Sequence, residues 1–199
     1  MRSIASQLLW CCLLVAGAMR NVQGQADDDR HWDLQALMAK RRQVESATAT
    51  FVEHKYLRML MQRLETSGRL RYKAPDWLQK VTSKPSPETF ELQGDSMTMV
   101  QRKGERVTAS LSAHPEIAAL VEGMRSTLAG DLATLERHYT IEFKGNASAW
   151  RLRLSPRNAT VRDKVSVIAI SGSEEQIKLV EVRQQDGDRS EMIITPVGR

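Results

Sequence analysis

The chain has 199 residues, 41% hydrophobic and 27% charged, with a net charge of +5. That length fits one domain or two small ones, and the balance excludes a disordered or fibrous chain. The charge is too small and too scattered to announce a nucleic-acid binder. Only 5% of residues are aromatic, so the interior must be mostly aliphatic and methionine-based.

Arg2 gives a positive start, and Leu8–Met19 is an uncharged apolar run of 12 residues. A bilayer span needs about 20 residues, so this run has the length of a signal-peptide core. Small residues at Gly24 and Ala26 precede the acidic cluster Asp27–Asp29, and cleavage after either Gly24 or Ala26 fits. A lipid-anchored precursor needs a small residue before its cysteine, whereas Trp10 precedes Cys11. Residues 1–26 are therefore read as a signal peptide and 27–199 as a single exported domain. In a diderm bacterium its compartment is the periplasm. Loss of the signal removes Cys11 and Cys12, the only cysteines, and with them any disulfide framework, cysteine-ligated metal or thiol nucleophile.

Residues 31–46 read as an amphipathic helix, with Leu34, Leu37, Met38 and Val44 near one stripe and Asp33 as N-cap. Thr48–Leu60 is rich in Thr, Val, Phe and Tyr, and extended. Over 63–74 the alternation is cleanest. Leu64, Thr66, Gly68, Leu70, Tyr72 and Ala74 share one parity, and Arg63, Glu65, Ser67, Arg69, Arg71 and Lys73 the other. That is an antiparallel strand with one dry and one wet face.

The pattern repeats at Trp77–Lys84, at Phe90 and Leu92, at Met97 and Met99 after the Gly94-Asp95 turn, and at Val107, Ala109 and Leu111 after Lys103-Gly104. A helical segment then interrupts. Pro115 suits a first turn, and Ile117, Leu120, Val121, Met124 and Leu128 fall on one helical face. Gly130 suits a left-handed stop, and Asp131 caps a short helix through Leu135. Strands resume at Tyr139, Ile141 and Phe143, and at Trp150, Leu152 and Leu154. Residues 156–162 read as a loop. Val165–Ile170, Ile177–Val182 and Met192–Thr195 complete the sheet.

The tally is about eleven antiparallel strands in one domain. A sheet of that size must curl. Two amphipathic helices and a short third cannot fill its apolar side as a second sheet would, so a partly unfilled concavity under a helical lid is expected.

Signals for chemistry are thin. His31, His54, His114 and His138 lack ligand-type spacing, so no metal site is expected. There is no nucleophile elbow, phosphate loop or dinucleotide fingerprint, and no catalytic residue or cofactor is assigned. Arg69, Arg71, Lys73, Arg151 and Arg153 lie on outward strand parities without interleaved aromatics, which argues against nucleic acid. Met38, Met59, Met61, Met97, Met99, Met124 and Met192 are more telling, because methionine repacks around chains of variable shape.

The order of motifs carries a resemblance. An N-terminal helix leads to Thr48-Ala49-Thr50-Phe51-Val52-Glu53. The block Gly68-Arg69-Leu70-Arg71-Tyr72-Lys73-Ala74-Pro75 follows, then Gly94-Asp95 before a strand. A helical segment ends in Leu128-Ala129-Gly130-Asp131, and the last motif is Trp150-Arg151-Leu152-Arg153-Leu154-Ser155-Pro156. Over residues 31–195 this resembles the outer-membrane lipoprotein carrier (LolA) family, and more closely its divergent, LolA-related branch. The resemblance implies an incomplete, strongly curved antiparallel β-barrel with helices serving as a lid over an apolar cavity. It also implies a carrier that takes acylated lipoproteins from an inner-membrane ABC transporter and passes them to an outer-membrane receptor. Classical carriers have a functional arginine directly before the proline of this block. Here that position is Ala74, which makes another lipid or a polyene-like cargo a plausible alternative.

On the carrier reading, parity and periodicity assign Leu70, Tyr72, Trp77, Phe90, Met97, Met99, Tyr139, Phe143, Trp150 and Leu152 to the lipid-binding wall. Ile117, Leu120, Met124 and Leu128 become the inner face of the lid. The expected molecule is a monomer that is not an enzyme. The rivals are a non-catalytic scaffold whose concavity is packed shut, and an acyl-ester hydrolase using Ser110 or Ser112 with His114.

Overall fold

The computed structural model describes residues 32–60, 62–101 and 104–197. The signal peptide with its cleavage positions, His31, Met61 and Lys103 lie outside the described residues. Among those residues the elements run α1 (Leu34–Arg42), β1 (Ser46–Tyr56), β2 (Leu64–Lys73), β3 (Trp77–Lys84), β4 (Glu88–Gln93), β5 (Ser96–Val100) and β6 (Arg106–Ser110). A single 3-10 turn, Leu111–Ala113, leads into α2 (Pro115–Ala129) and α3 (Leu132–His138). Then come β7 (Tyr139–Asn146), β8 (Ala149–Pro156), α4 (Ala159–Arg162), β9 (Val165–Ser173), β10 (Gln176–Gln184) and β11 (Arg189–Pro196).

All eleven strands form one antiparallel sheet in the order β6-β5-β4-β3-β2-β1-β11-β10-β9-β8-β7. The chain makes two meanders, and pairing of β1 with β11 joins them in the middle of the sheet. The edges are β6 and β7, so the curled sheet is not closed, and the helical segment runs from one edge to the other. Curvature is sharpened at Gly68, where β2 shifts register against β3. A Cβ there would lie 1.9 Å from the Val81 carbonyl oxygen, so only glycine lets the strands approach this closely.

Several boundaries differ from the sequence reading. α1 covers only Leu34–Arg42, with the Asp33 carboxylate accepting from Ala36 N at 2.8 Å; its last turn, Lys40-Arg41-Arg42, complements the helix dipole. β1 stops at Tyr56 because Arg58 N donates to Asp188 Oδ1 at 2.7 Å and draws the chain into a turn. α3 continues to His138. Within the expected loop at 156–162, the Asn158 side chain accepts from Val161 N and caps the one-turn α4, which buries Val161.

The main core lies on the β7–β10 side, where α1 and α3 cover the sheet. Leu37, Met38, Leu135, Tyr139, Leu152, Leu154 and Ile168 are at most 1% exposed. α2 joins this core through Gly123: a Cβ there would lie 2.8–2.9 Å from the Tyr139 ring, and the Tyr139 hydroxyl donates to Ala119 O at 2.5 Å. A second, smaller cluster of Leu92, Leu111 and Val121 packs with Leu78, Phe90, Met97 and Ile117 where α2 begins.

Candidate functional site

Between α2 and the β1–β4 side of the sheet the two clusters leave a gap. It is a cavity of about 1250 Å³, above the roughly 300–1,000 Å³ of ordinary small-ligand clefts. Directly opposed residues of antiparallel strands share a face, and the pairing Tyr72–Leu78–Leu92 sets which residues look inward. Leu70 and Tyr72 from β2, Leu78 from β3, and Phe90 and Leu92 from β4 line one wall. Ile177, Val180 and Val182 from β10, with Met192 and Ile194 from β11, line the other. Ile117, Leu120, Val121, Met124 and Leu128 of α2 form the roof, and Ala47 and Ala49 contribute only methyl groups from β1.

Of the residues singled out from sequence, Leu70, Tyr72, Phe90, Ile117, Leu120, Met124 and Leu128 are thus brought to one cavity. The others lie elsewhere. Tyr139, Trp150 and Leu152 are at most 3% exposed in the solid core, where α1 and α3 occupy the space a ligand would need. Phe143 packs against that core. Trp77 has the parity opposite to Leu78 and so takes the outer face. Met97 belongs to the smaller cluster, and Met99 pairs with Phe90 without reaching the cavity wall. The sequence reading missed Leu78, Leu92 and the β10–β11 wall.

The roof is fastened at its C-terminal end by Arg41. Its guanidinium donates to Leu128 O at 2.9 Å and to Glu175 O at 2.8 Å, joining α1, α2 and the β9–β10 turn. Burial lowers its pKa from the ordinary arginine value, partly offset by Tyr72 and Glu175. Burial also raises the Tyr72 hydroxyl above the usual tyrosine range. Tyr72 Oη and Arg41 Nε are both buried without a hydrogen-bond partner. Gly130 ends α2 with φ of 69°; a Cβ there would lie 2.2 Å from Met38 O, so a side chain would push α2 off α1.

Away from the roof the cavity becomes polar. Glu53, on the inward face of β1, is 5% exposed. Its Oε2 accepts from Lys80 Nζ at 2.5 Å and from Thr66 Oγ1 at 3.3 Å, and lies 3.8 Å from Lys55 Nζ. Lys80 also sits 4.8 Å from the centre of the Phe51 ring. Glu53, Lys55, Thr66 and Lys80 all line the cavity.

Other polar groups have structural partners. The Ser110 and Ser112 hydroxyls turn onto Asp95, whose carboxyl is held below its usual range chiefly by the Ser110 hydrogen bond. His54 pairs with Glu65 at 3.1 Å across the β1–β2 ladder. Among the described residues no three His, Cys, Asp or Glu side chains are grouped to hold a metal, and no helix is long and apolar enough to cross a membrane.

Comparison with known proteins adds a family. Solved structures with similar chain paths include a LolA superfamily protein from Nitrosomonas europaea, at 10% identity and a TM-score of 0.45. That match covers 82% of this chain and 92% of the other. A DUF1329 family protein from Desulfovibrio piger matches at 10% identity and a TM-score of 0.46, over 82% and 89%. A chain of the Pseudomonas aeruginosa MucA/MucB complex matches at 11% identity and a TM-score of 0.45, over 81% and 54%. No curated protein sequence matches. The family model described as outer membrane lipoprotein carrier protein LolA-like matches residues 25–198. With that match spanning nearly the whole chain, the protein belongs to the LolA-like family of outer membrane lipoprotein carrier proteins.

Proposed function

We propose that the protein is a periplasmic carrier that shelters the acyl chain of a lipoprotein or another lipid beneath α2 while it crosses between the inner and outer membranes. The observation that carries this reading is the cavity of about 1250 Å³ with its aliphatic walls and roof. Burial is worth about 0.8 kcal/mol per methylene, so a palmitoyl-length chain gains roughly 10 kcal/mol before ordering costs. Ile117, Leu120, Met124 and Leu128 act as the inner face of a lid. Leu70, Tyr72 and Phe90, with Leu78, Leu92 and the β10–β11 residues, form the wall against which the chain lies. Methionine at positions 124 and 192 lets that surface follow chains of different shape.

Residues 1–26 serve as the signal peptide, and 27–199 form the monomeric carrier. An inner-membrane ABC transporter supplies the cargo and an outer-membrane receptor accepts it. Ala74, where classical family members carry arginine, keeps a non-lipoprotein lipid or a polyene as an alternative cargo. Catalysis has no part in this reading, in keeping with a family described by carriage.

The test is extraction and mass spectrometry of lipids from protein purified out of its own cell envelope, paired with thermal melting against a soluble acyl ligand. The expected result is a co-purified acyl lipid and a rise in Tm. At a ligand concentration of about a hundred times Kd, the stabilisation should be about 2.7 kcal/mol. No extracted lipid together with an unchanged Tm would return the protein to the closed scaffold.

A further inference from the structure

The Glu53–Lys80 pair is out of place in a pocket built only for hydrocarbon. Taking a carboxylate and an ammonium out of water is costly, and an apolar pair of similar volume is often at least as stable. Here the pair projects from the inward face of the sheet into the cavity instead of being sealed in the core. Its charges are also unequal. Both Lys80 and Lys55 lean on one carboxylate, and all the contacts fall on Oε2. Lys55 at 3.8 Å is the looser partner, with its side chain 43% exposed. The nearby Arg189 is already matched by Glu191 at 3.6 Å. Glu53, Lys55 and Lys80 among themselves therefore hold one positive charge more than they neutralise; Glu88, also on the cavity lining, pairs across the strands with Thr82 instead of Lys80. It lies along β1 away from Ala47, whose cross-strand row contains Tyr72, Leu78 and Leu92 beneath the roof.

The geometry points to an amphiphile-specific site: α2 and the upper wall take the acyl tail, and Lys80 and Lys55, positioned by Glu53 and Thr66, take an anionic phosphate or carboxylate in the headgroup. This deepens the carrier reading and rests on it. The tail supplies affinity, and the two ammonium groups select among lipids with equal tails. Glu53 keeps Lys80 extended into the cavity and prevents two lysines from facing each other unscreened. Glu53 Oε1, without a partner among the described residues, accepts a hydrogen bond from a headgroup hydroxyl.

The test displaces a neutral fluorescent acyl probe from the full exported domain with lysophosphatidate or with the uncharged monoacylglycerol of the same chain. The wild-type protein should bind the anionic lipid at least about tenfold more tightly, the scale of a charge-assisted hydrogen bond. Raising the salt concentration should shrink that ratio. Removing Lys80 alone would strand a buried carboxylate and risk unfolding, so the variant is Glu53→Gln with Lys80→Met and Lys55→Met, which removes both ammonium groups with their counter-charge, checked for a cooperative melt. It should lose the preference and keep its affinity for the neutral lipid. Equal binding of both lipids by the wild-type protein, or a preference surviving in the variant, would overturn the headgroup site and leave the carrier standing. Failure of both lipids to displace the probe would overturn both.

Discussion

The two halves of the sheet share a topology and differ in what stands on their inner faces. On β7–β10 the inward positions are large: Tyr139, Trp150, Leu152, Leu154, Ile168 and Ile170, each at most 3% exposed under α1 and α3. On β1 and β2 large residues alternate with small and polar ones: Ala47 faces Tyr72, Ala49 faces Leu70, Phe51 faces Gly68 and Glu53 faces Thr66, and α2 roofs the Ala47–Tyr72 end. Close packing is the normal state of a protein interior, so a hollow has to be specified. Here the β1 positions opposite Leu70 and Tyr72 are only alanine, so no side chain of β1 fills the space beneath α2. The solid half provides stability, and the hollow half keeps room free.

That contrast can be broken at graded points. Leu152→Ala, in the solid half, should cost about 2–5 kcal/mol, whereas Leu70→Ala, already facing open space, should cost well under about 1 kcal/mol. Urea denaturation of the two variants reads the difference directly, and equal losses would erase the distinction between the halves.

Next in size is Arg41→Met. It removes charge-assisted bonds to Leu128 O and Glu175 O, each worth about 1.5–3 kcal/mol. Desolvation of the guanidinium offsets part of that loss. Hydrogen exchange should rise at the C-terminal end of α2 and stay unchanged in β8 and β9. Smaller still is Asp131→Ala, which deletes the cap on Thr134 N and should cost about 1 kcal/mol.

The last is a pH effect confined to the solid half. Burial raises the Tyr139 hydroxyl well above its usual value of 10. The unfolded chain therefore releases this proton first as pH rises. The tyrosine's contribution is intact below pH 10 and is lost as pH climbs towards the folded value. Tyr139→Phe should flatten that alkaline loss in a series of melts, at about 1 kcal/mol for the missing bond to Ala119 O.

How much of this was legible in the sequence follows from the physics of each signal. Alternation reports that a strand has a dry face, so the strands of the meander and the Leu64–Tyr72 parity could be read directly. Helical period did the same for Ile117, Leu120, Met124 and Leu128. Alternation is silent about whether a dry face meets the protein's own side chains or empty space. Tyr139, Trp150 and Leu152 looked like cavity wall for that reason. Bulkiness misled at Trp77, because the charged Lys80 shares the inward face of β3 and disguises it. On β10 a register shift between Ile177 and Leu179 places Ile177 on the same side as Val180 and Val182, a change of parity that no simple alternation predicts. Nothing local in the sequence marks Arg41, because its partners, Leu128 and Glu175, are distant along the chain. Glu53 stands in the sequence only as the end of the Thr48–Glu53 motif, since Lys80 reaches it from two strands away.

The sheet is stitched at its centre, where β1 meets β11, and left unstitched at its rims, β6 and β7. Those rims are consecutive along the chain, spanned by residues 111–138. On the carrier reading, a bulkier guest spreads the mouth without unzipping a single strand pairing, and the helices bridging the rims are what such spreading stretches. Girth is thus restrained by that bridge together with the Arg41 ties to Leu128 and Glu175, so slackening both would widen the opening before it touched the strand pairings.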